Sequence, residues 1–240
     1  MLHPFVRTDF GSLTQPAVKM GNILDSFLSL AVKYGPYILT GVGITLQLTV
    51  MSLALSFPIG FLAALMGLSR RPVLRGMALF YIETIRGTPA LLQLFIVYFG
   101  LTSWGIRLDP IPAAIITLGL IGGAYVAEIF RAGIEAVDVG QIEAGTAIGM
   151  TRSQIMRRVI VPQAVQIVLP PLTNFLISLI KDTSLALTIS VPEIMYRSYD
   201  VASQTFRSME VYSIAGIIYL CLCVPLSFLV RRMERRGKDR

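Results

Sequence analysis

Charge is scarce in this chain. Only 15% of its 240 residues are Asp, Glu, Lys or Arg, where soluble domains carry about 25%. Histidine occurs once, as His3, and cysteine twice, as Cys221 and Cys223. So few ligands argue against a metal centre. The two cysteines stand two apart in IAGIIYLCLCVPL, on different faces of a helix, so packing is expected of them rather than a local disulfide or metal clip. The sequence has no GxxxxGK[ST] phosphate loop, no HExxH and no GxSxG. It therefore lacks the usual devices for hydrolysing a nucleotide, a peptide or an ester. A compact apolar leader with a cleavage site is also missing, since Arg7, Asp9, Lys19 and Asp25 punctuate the start. The first spanning segment is expected to act as an uncleaved insertion signal.

Apolar run length is what the chain has in abundance. Hydrophobic residues make up 54% of it and the mean hydropathy is +0.69. A bilayer core takes about 20 apolar residues as helix. Five segments qualify: 37–68, interrupted by Pro58; 76–101; 111–131; 163–181, with Pro170 and Pro171 inside; and 211–230. Proline is tolerated in a span when neighbours satisfy the freed carbonyls. The expected fold is all-α, an integral membrane bundle of five transmembrane helices. Residues 1–36 form an N-terminal extracytoplasmic or interfacial segment, 37–230 the membrane domain, and 231–240 a basic tail.

Basic residues set the orientation. With five spans, 69–75, 131–162 and 231–240 share one side and hold thirteen of the 21 basic residues, against seven on the other side and Arg86 within a span. The N-terminus is expected outside and the C-terminus in the cytoplasm, with 134–162 a cytoplasmic loop. The net charge of +7 is then an orientation signal and implies no nucleic acid.

That loop contains EAGTAIGMTRSQIMRRVIVP, residues 143–162. Ala144, Gly145, Ala147 and Gly149 cluster beside Glu143 on a first helical unit, about 137–148. Small side chains let a backbone approach another surface closely. Thr151 and Gln154 have capping-box spacing for a second unit, and Pro162 is expected to close it. From the residues alone, an amphipathic loop held on lipid headgroups by its arginines is an equal reading.

The segment resembles the cytoplasmic signature of permease subunits of bacterial ABC importers: glutamate–alanine–alanine, three residues, glycine, nine residues, isoleucine, one residue, leucine–proline. Glu143, Ala144, Gly149 and Pro162 match in register; Gly145, Val159 and Val161 depart conservatively. ETIRGTPALLQLF at 83–95, GGAYVAEIFRAGI at 122–134 and LISLIKDTSLA at 176–186 extend the resemblance to the polar amino-acid permeases of histidine, glutamine and arginine type. The resemblance covers roughly 37–230. It implies that the loop is a coupling helix seated on separate ABC ATPase subunits, which bind ATP and magnesium while this chain holds no cofactor. It also implies a second copy or paralogue of the permease, an extracytoplasmic substrate-binding protein and a place in the bacterial inner membrane.

Charged side chains inside spans cost about 2.5–3.5 kcal/mol on insertion scales. Glu83 and Arg86 share one helix face three residues apart and are expected to neutralise each other in part. Gly87, Thr88 and Pro89 should loosen the turn beside Arg86, whose planar fork suits a carboxylate. Asp182, at the end of the fourth span, could meet an ammonium group. An amino-acid zwitterion needs both signs, so Glu83, Arg86 and Asp182 are the candidate substrate contacts, with Tyr125 lining the path. A structural Glu83–Arg86 pair and a packed Tyr125 are the alternatives. Glu128 and Arg131 read as a structural pair. The segment 182–208, with Pro192, Glu193, Arg197 and Asp200, is either a gate, a receptor surface or a solvated loop.

The expected function is that of a non-catalytic permease moving amino acids by alternating access. A free-standing carrier or channel is the alternative, disfavoured by the docking loop and by the absence of internal repeats.

Overall fold

The computed structural model describes the backbone of residues 20–238, and among these there is no strand. The N-terminal segment expected over 1–36 lies partly outside the described residues. From Met20 onward it is helix, continuous with the first span. Helix α1 (Met20–Gly67) carries both Pro36 and Pro58 without breaking. It leads to α2 (Pro72–Arg86) and α3 (Ala90–Ser103), then α4 (Pro110–Glu135). Four helical runs are long and apolar enough to cross a membrane. The pair α2 and α3 makes a fifth if counted as one bent span.

Helix α4 is the axis of the bundle. Its buried face reads Ala113, Ala114, Thr117, Gly119, Gly122, Gly123, Ala127. Apolar side chains gain little by leaving lipid for protein, so membrane helices associate through close backbone approach and interhelical hydrogen bonds. Both devices join α1 to α4. A Cβ on Gly60 of α1 would stand 2.6 Å from Val126 and 2.9 Å from the Gly123 carbonyl. Ser52 and Ser56 of α1 donate to the carbonyls of Ile115 and Gly119 at 3.4 and 3.2 Å. Tyr81 of α2 donates to the Leu120 carbonyl at 2.5 Å, so α2 is pinned to the same axis.

Between α2 and α3 the chain bends by 103°, at the Gly87–Thr88–Pro89 turn that the sequence marks as loose. The freed carbonyls are caught by one side chain. Gln93 Nε2 donates to the Ile85 carbonyl at 2.8 Å and to Thr88 through its carbonyl and hydroxyl. A break at membrane depth requires this kind of internal satisfaction.

Beyond α4 come α5 (Val139–Ala147), α6 (Arg152–Ile155) and α7 (Val161–Asp182). Pro162 does not end a helix as expected. A π-helical stretch, Met156–Ile160, carries α6 straight into α7. The Val161 N–H bonds to the Met156 carbonyl, five residues back, and this wider register absorbs the donor that Pro162 lacks. Pro170 and Pro171 likewise sit within α7. A tight 3-10 turn, Thr183–Ile189, connects to α8 (Ile194–Thr205) and to α9 (Ser208–Lys238). The fifth expected span falls in α9.

Candidate functional site

Arg86 is the last residue of α2, at the lip of the bend. Glu83, one turn earlier, was the expected partner, but the two make no ion pair. Arg86 turns instead toward α4. Its Nη1 is 4.0 Å from Glu128 Oε2, and its guanidinium lies over the Tyr125 ring, 5.7 Å from the centroid. Tyr125 in turn stacks on Phe175 of α7 at 6.0 Å with 20° between the planes. The reason is packing: α2 lies against α4, whose aromatic face and carboxylate stabilise a cation better than an exposed Glu83 can.

Glu128 is held from below by Arg131, which donates to both carboxylate oxygens, and Arg131 also donates to Glu135 at 2.7 Å. The Glu128–Arg131 pair expected from the sequence is present. A cavity of about 300 Å³ opens beside Glu128 between α4 and α7, lined by Ala132, Gly133, Ala136, Ile167 and Pro171. Asp182 stands exposed at the end of α7 and makes no hydrogen bond or ion pair with this cluster among the described residues. Arg86, Tyr125 and Glu128 are thus brought together; Glu83 and Asp182 are near neither each other's charge nor Arg86's within bonding distance.

Just past the C-terminal end of α4 the polypeptide folds into a hairpin. Asp138 caps α5 by accepting from the Gly140 N–H at 2.7 Å. Gly149, at φ +76°, ends it in a Schellman turn: its N–H reaches the Thr146 carbonyl, and the Met150 N–H reaches the Gly145 carbonyl, each at 3.0 Å. Thr151 and Gln154 then form the expected capping box at the start of α6. Gly145 is buried against Ile155, where a Cβ would approach that side chain to 2.9 Å. Two of the small residues therefore serve the hairpin itself. The outward surface consists of Glu143, Ala144, Ala147 and Ile148, the last 78% exposed. A groove of about 640 Å³ runs between the hairpin and the end of α4, lined among others by Glu135, Val139, Ile142 and Met150.

The segment 182–208 is no solvated loop. Glu193 is fully buried and caps α8, accepting from the N–H groups of Met195 and Tyr196 at 2.9 and 2.7 Å and from the Tyr219 hydroxyl at 3.0 Å. Burial pushes its carboxyl up to about 7. A Cβ on Gly41 of α1 would meet the Glu193 backbone at 2.7 Å. Asp200 accepts from Tyr37 at 2.8 Å, and Arg197 lies over the same Tyr37 ring.

Residues 56–239 match the family described as binding-protein-dependent transport system inner membrane component. The chain belongs to this family. It is 38% identical over 222 residues to the L-cystine transport system permease protein TcyB of Bacillus subtilis, covering 92% of this chain and 94% of the relative. It is also 38% identical over 205 residues to the Escherichia coli glutamine transport system permease protein GlnP, covering 85% and 94%. Among solved structures, an amino acid ABC transporter with histidines superposes with a TM-score of 0.83 at 39% identity, over 88% of this chain and 98% of that one. The MetNI methionine transporter, at 21% identity and a TM-score of 0.70, shares the fold over 84% of this chain and 96% of its own. The family's inner-membrane, multi-pass character agrees with the apolar helices described above.

Two of these carboxylates, in separate places, were not assigned from the sequence. Glu128 was read only as Arg131's partner, because a residue on another helix gives no periodic signal. Glu193 was undecided, because glutamate is not among the usual N-cap residues and its burial depends on packing against α1 and α9.

Proposed function

We propose that this chain is the non-catalytic membrane subunit of an ATP-driven importer for amino acids, working as a pair with a second copy or paralogue. Extracytoplasmic binding protein delivers the substrate, and separate ATPase subunits bind ATP and magnesium. The observation that carries this reading is the preorganised hairpin. It is rigid by construction, with a Schellman turn and a capping box back to back, and its surface of Glu143, Ala144, Ala147 and Ile148 stays exposed among the described residues. A cluster of alanines grips lipid poorly and suits close contact with protein. Amino-acid specificity is supported by the relatives' names and by Arg86, whose guanidinium presents donors beside an aromatic face.

In this mechanism, ATP-driven closure of the ATPases draws the two hairpins together and opens the bundle outward; hydrolysis releases them and exposes the site inward. The cycle is a population shift, driven by the ATPases' different affinities for the two states. Gly149 and Pro162 act within the element: the first sets the turn, the second sits where the π stretch welds the hairpin to α7, so that movement of one is movement of the other.

Cross-linking tests the docking. A cysteine at Ile148, in a background with Cys221 and Cys223 replaced by alanine, should form a disulfide with a cysteine placed in the ATPase groove. Efficient cross-linking to lipid-mimetic reagents but to no ATPase position would return the loop to a headgroup anchor.

A further inference from the structure

Arg86 is only loosely occupied. At 4.0 Å its contact with Glu128 is longer than a charge-assisted hydrogen bond, which runs about 2.7–2.9 Å. No other acceptor bonds its side chain among the described residues. Its side chain is 39% exposed, so its donors face an open side. Glu128, by contrast, is held tightly by Arg131 at both oxygens, and Arg131 is itself steadied by Glu135. One carboxylate therefore stands between two guanidinium groups, firm on one and slack on the other. Such an arrangement can shift.

We propose that Glu128 is a built-in competitor for the substrate's carboxylate: it neutralises Arg86 in the empty site and withdraws onto Arg131 when an amino acid arrives. This rests on the reading that Arg86 receives that carboxylate. Glu128 is then a positioning residue that keeps membrane-site affinity low. Low affinity suits an importer, since a substrate bound tightly to Arg86 would leave slowly toward the cytoplasm. The competing idea, that Glu128 contacts the substrate's ammonium group, gives the opposite sign on substitution. A cation placed beside Glu128 would also sit between Arg86 and Arg131, where the field is unfavourable.

The test uses the complete permease–ATPase complex in nanodiscs without receptor, with radiolabelled L-glutamine, L-arginine and L-cystine as probes. Glu128→Gln keeps the shape and removes the charge. For a one-third-exposed pair the expected gain in affinity is about fivefold for whichever probe binds best. In ATP-driven uptake the same variant should lower KM and also lower kcat, because release slows. Glu128→Asp, which keeps the charge but draws it back from Arg86, should tighten binding less, and it serves if the glutamine variant fails to assemble. Arg86→Ala should weaken binding about ten- to a hundredfold in both backgrounds. Weaker or unchanged binding by Glu128→Gln, with Arg86→Ala still impaired, overturns the competitor role and leaves the site at Arg86 standing. No binding of any probe by either the unaltered complex or Glu128→Gln also overturns it. Binding by Arg86→Ala equal to that of the unaltered complex sinks the site itself.

Discussion

Arg86 and Glu193 are the two charged residues whose surroundings say most about their roles. Arg86 sits on an aromatic platform made by Tyr125 and Phe175. Charge-assisted hydrogen bonds contribute roughly 1.5–3 kcal/mol, so Arg86→Ala is expected to cut uptake by about ten- to a hundredfold while the complex still assembles. Arg86→Lys should recover little, since an ammonium lacks the planar fork. Uptake by Arg86→Ala at the unaltered rate would leave only a structural role. Glu193 makes a different prediction. Its folded-state carboxyl lies near 7, above the ordinary 4.5, because burial outweighs its three donors. The native state thus holds a proton that the unfolded chain gives up. Stability from this group is full below about 4.5 and is lost as the pH rises through 7. Thermal melts of the purified protein should therefore show a midpoint falling between pH 5 and pH 8, and Glu193→Gln should flatten that slope. An equal slope in the variant would place the titration elsewhere.

The hairpin and the α2–α3 bend are the elements whose behaviour follows most directly from local chemistry. Gly149→Val puts a β-branched residue at φ +76°, a left-handed conformation costing roughly 1–2 kcal/mol. It should loosen the Schellman turn and lower substrate-stimulated ATP hydrolysis without preventing membrane insertion. Thr151→Ala removes one half of the capping box and about 1 kcal/mol, with a smaller loss of the same activity. Protease accessibility of the loop, compared with hydrolysis rates, checks both. At the bend, Gln93→Leu leaves the carbonyls of Ile85 and Thr88 without their donor. The Ile85 bond is half-buried and the Thr88 bond exposed, so the loss is expected near the low end of the about 1–3 kcal/mol of an unsatisfied buried group, with a lower melting temperature and a displaced Arg86. A variant as stable as the parent would mean that water supplies those bonds. Much of this was legible beforehand: the capping box, the Gly–Thr–Pro loosening and the proline-tolerant fourth span are local patterns. What Pro162 does was not, because a π stretch leaves no trace in composition. The partner of Arg86 escaped for a related reason. Helix periodicity names faces, but it cannot say which neighbouring helix a face meets.

At the scale of the whole molecule, the all-α membrane bundle was readable from run length alone. The burial of α4 as its axis depended on which helices pack, and that is a long-range fact. Charge on α4 runs from Glu128 through Arg131 to Glu135, which borders the groove against the hairpin. One helix therefore carries Tyr125 and Glu128 beside Arg86 and leads at its end to the hairpin that we propose docks on the ATPase. The π stretch ties the same hairpin to α7, whose Phe175 supports Tyr125. One continuous helical run, from α6 through the π stretch into α7, and a short turn at 136–138 from α4 join the hairpin to the helices that carry Phe175, Tyr125 and Glu128. On the proposed coupling, a movement of the hairpin should therefore reach Arg86 through its contacts with α4. The most direct test is a distance measurement in the assembled transporter, with a spin label at Ala147 on each of the two permease hairpins. ATP binding in the presence of substrate-loaded receptor should shorten the label-to-label distance, and hydrolysis should restore it. A separation that stays the same through the ATP cycle, in a complex that still transports, would contradict the account.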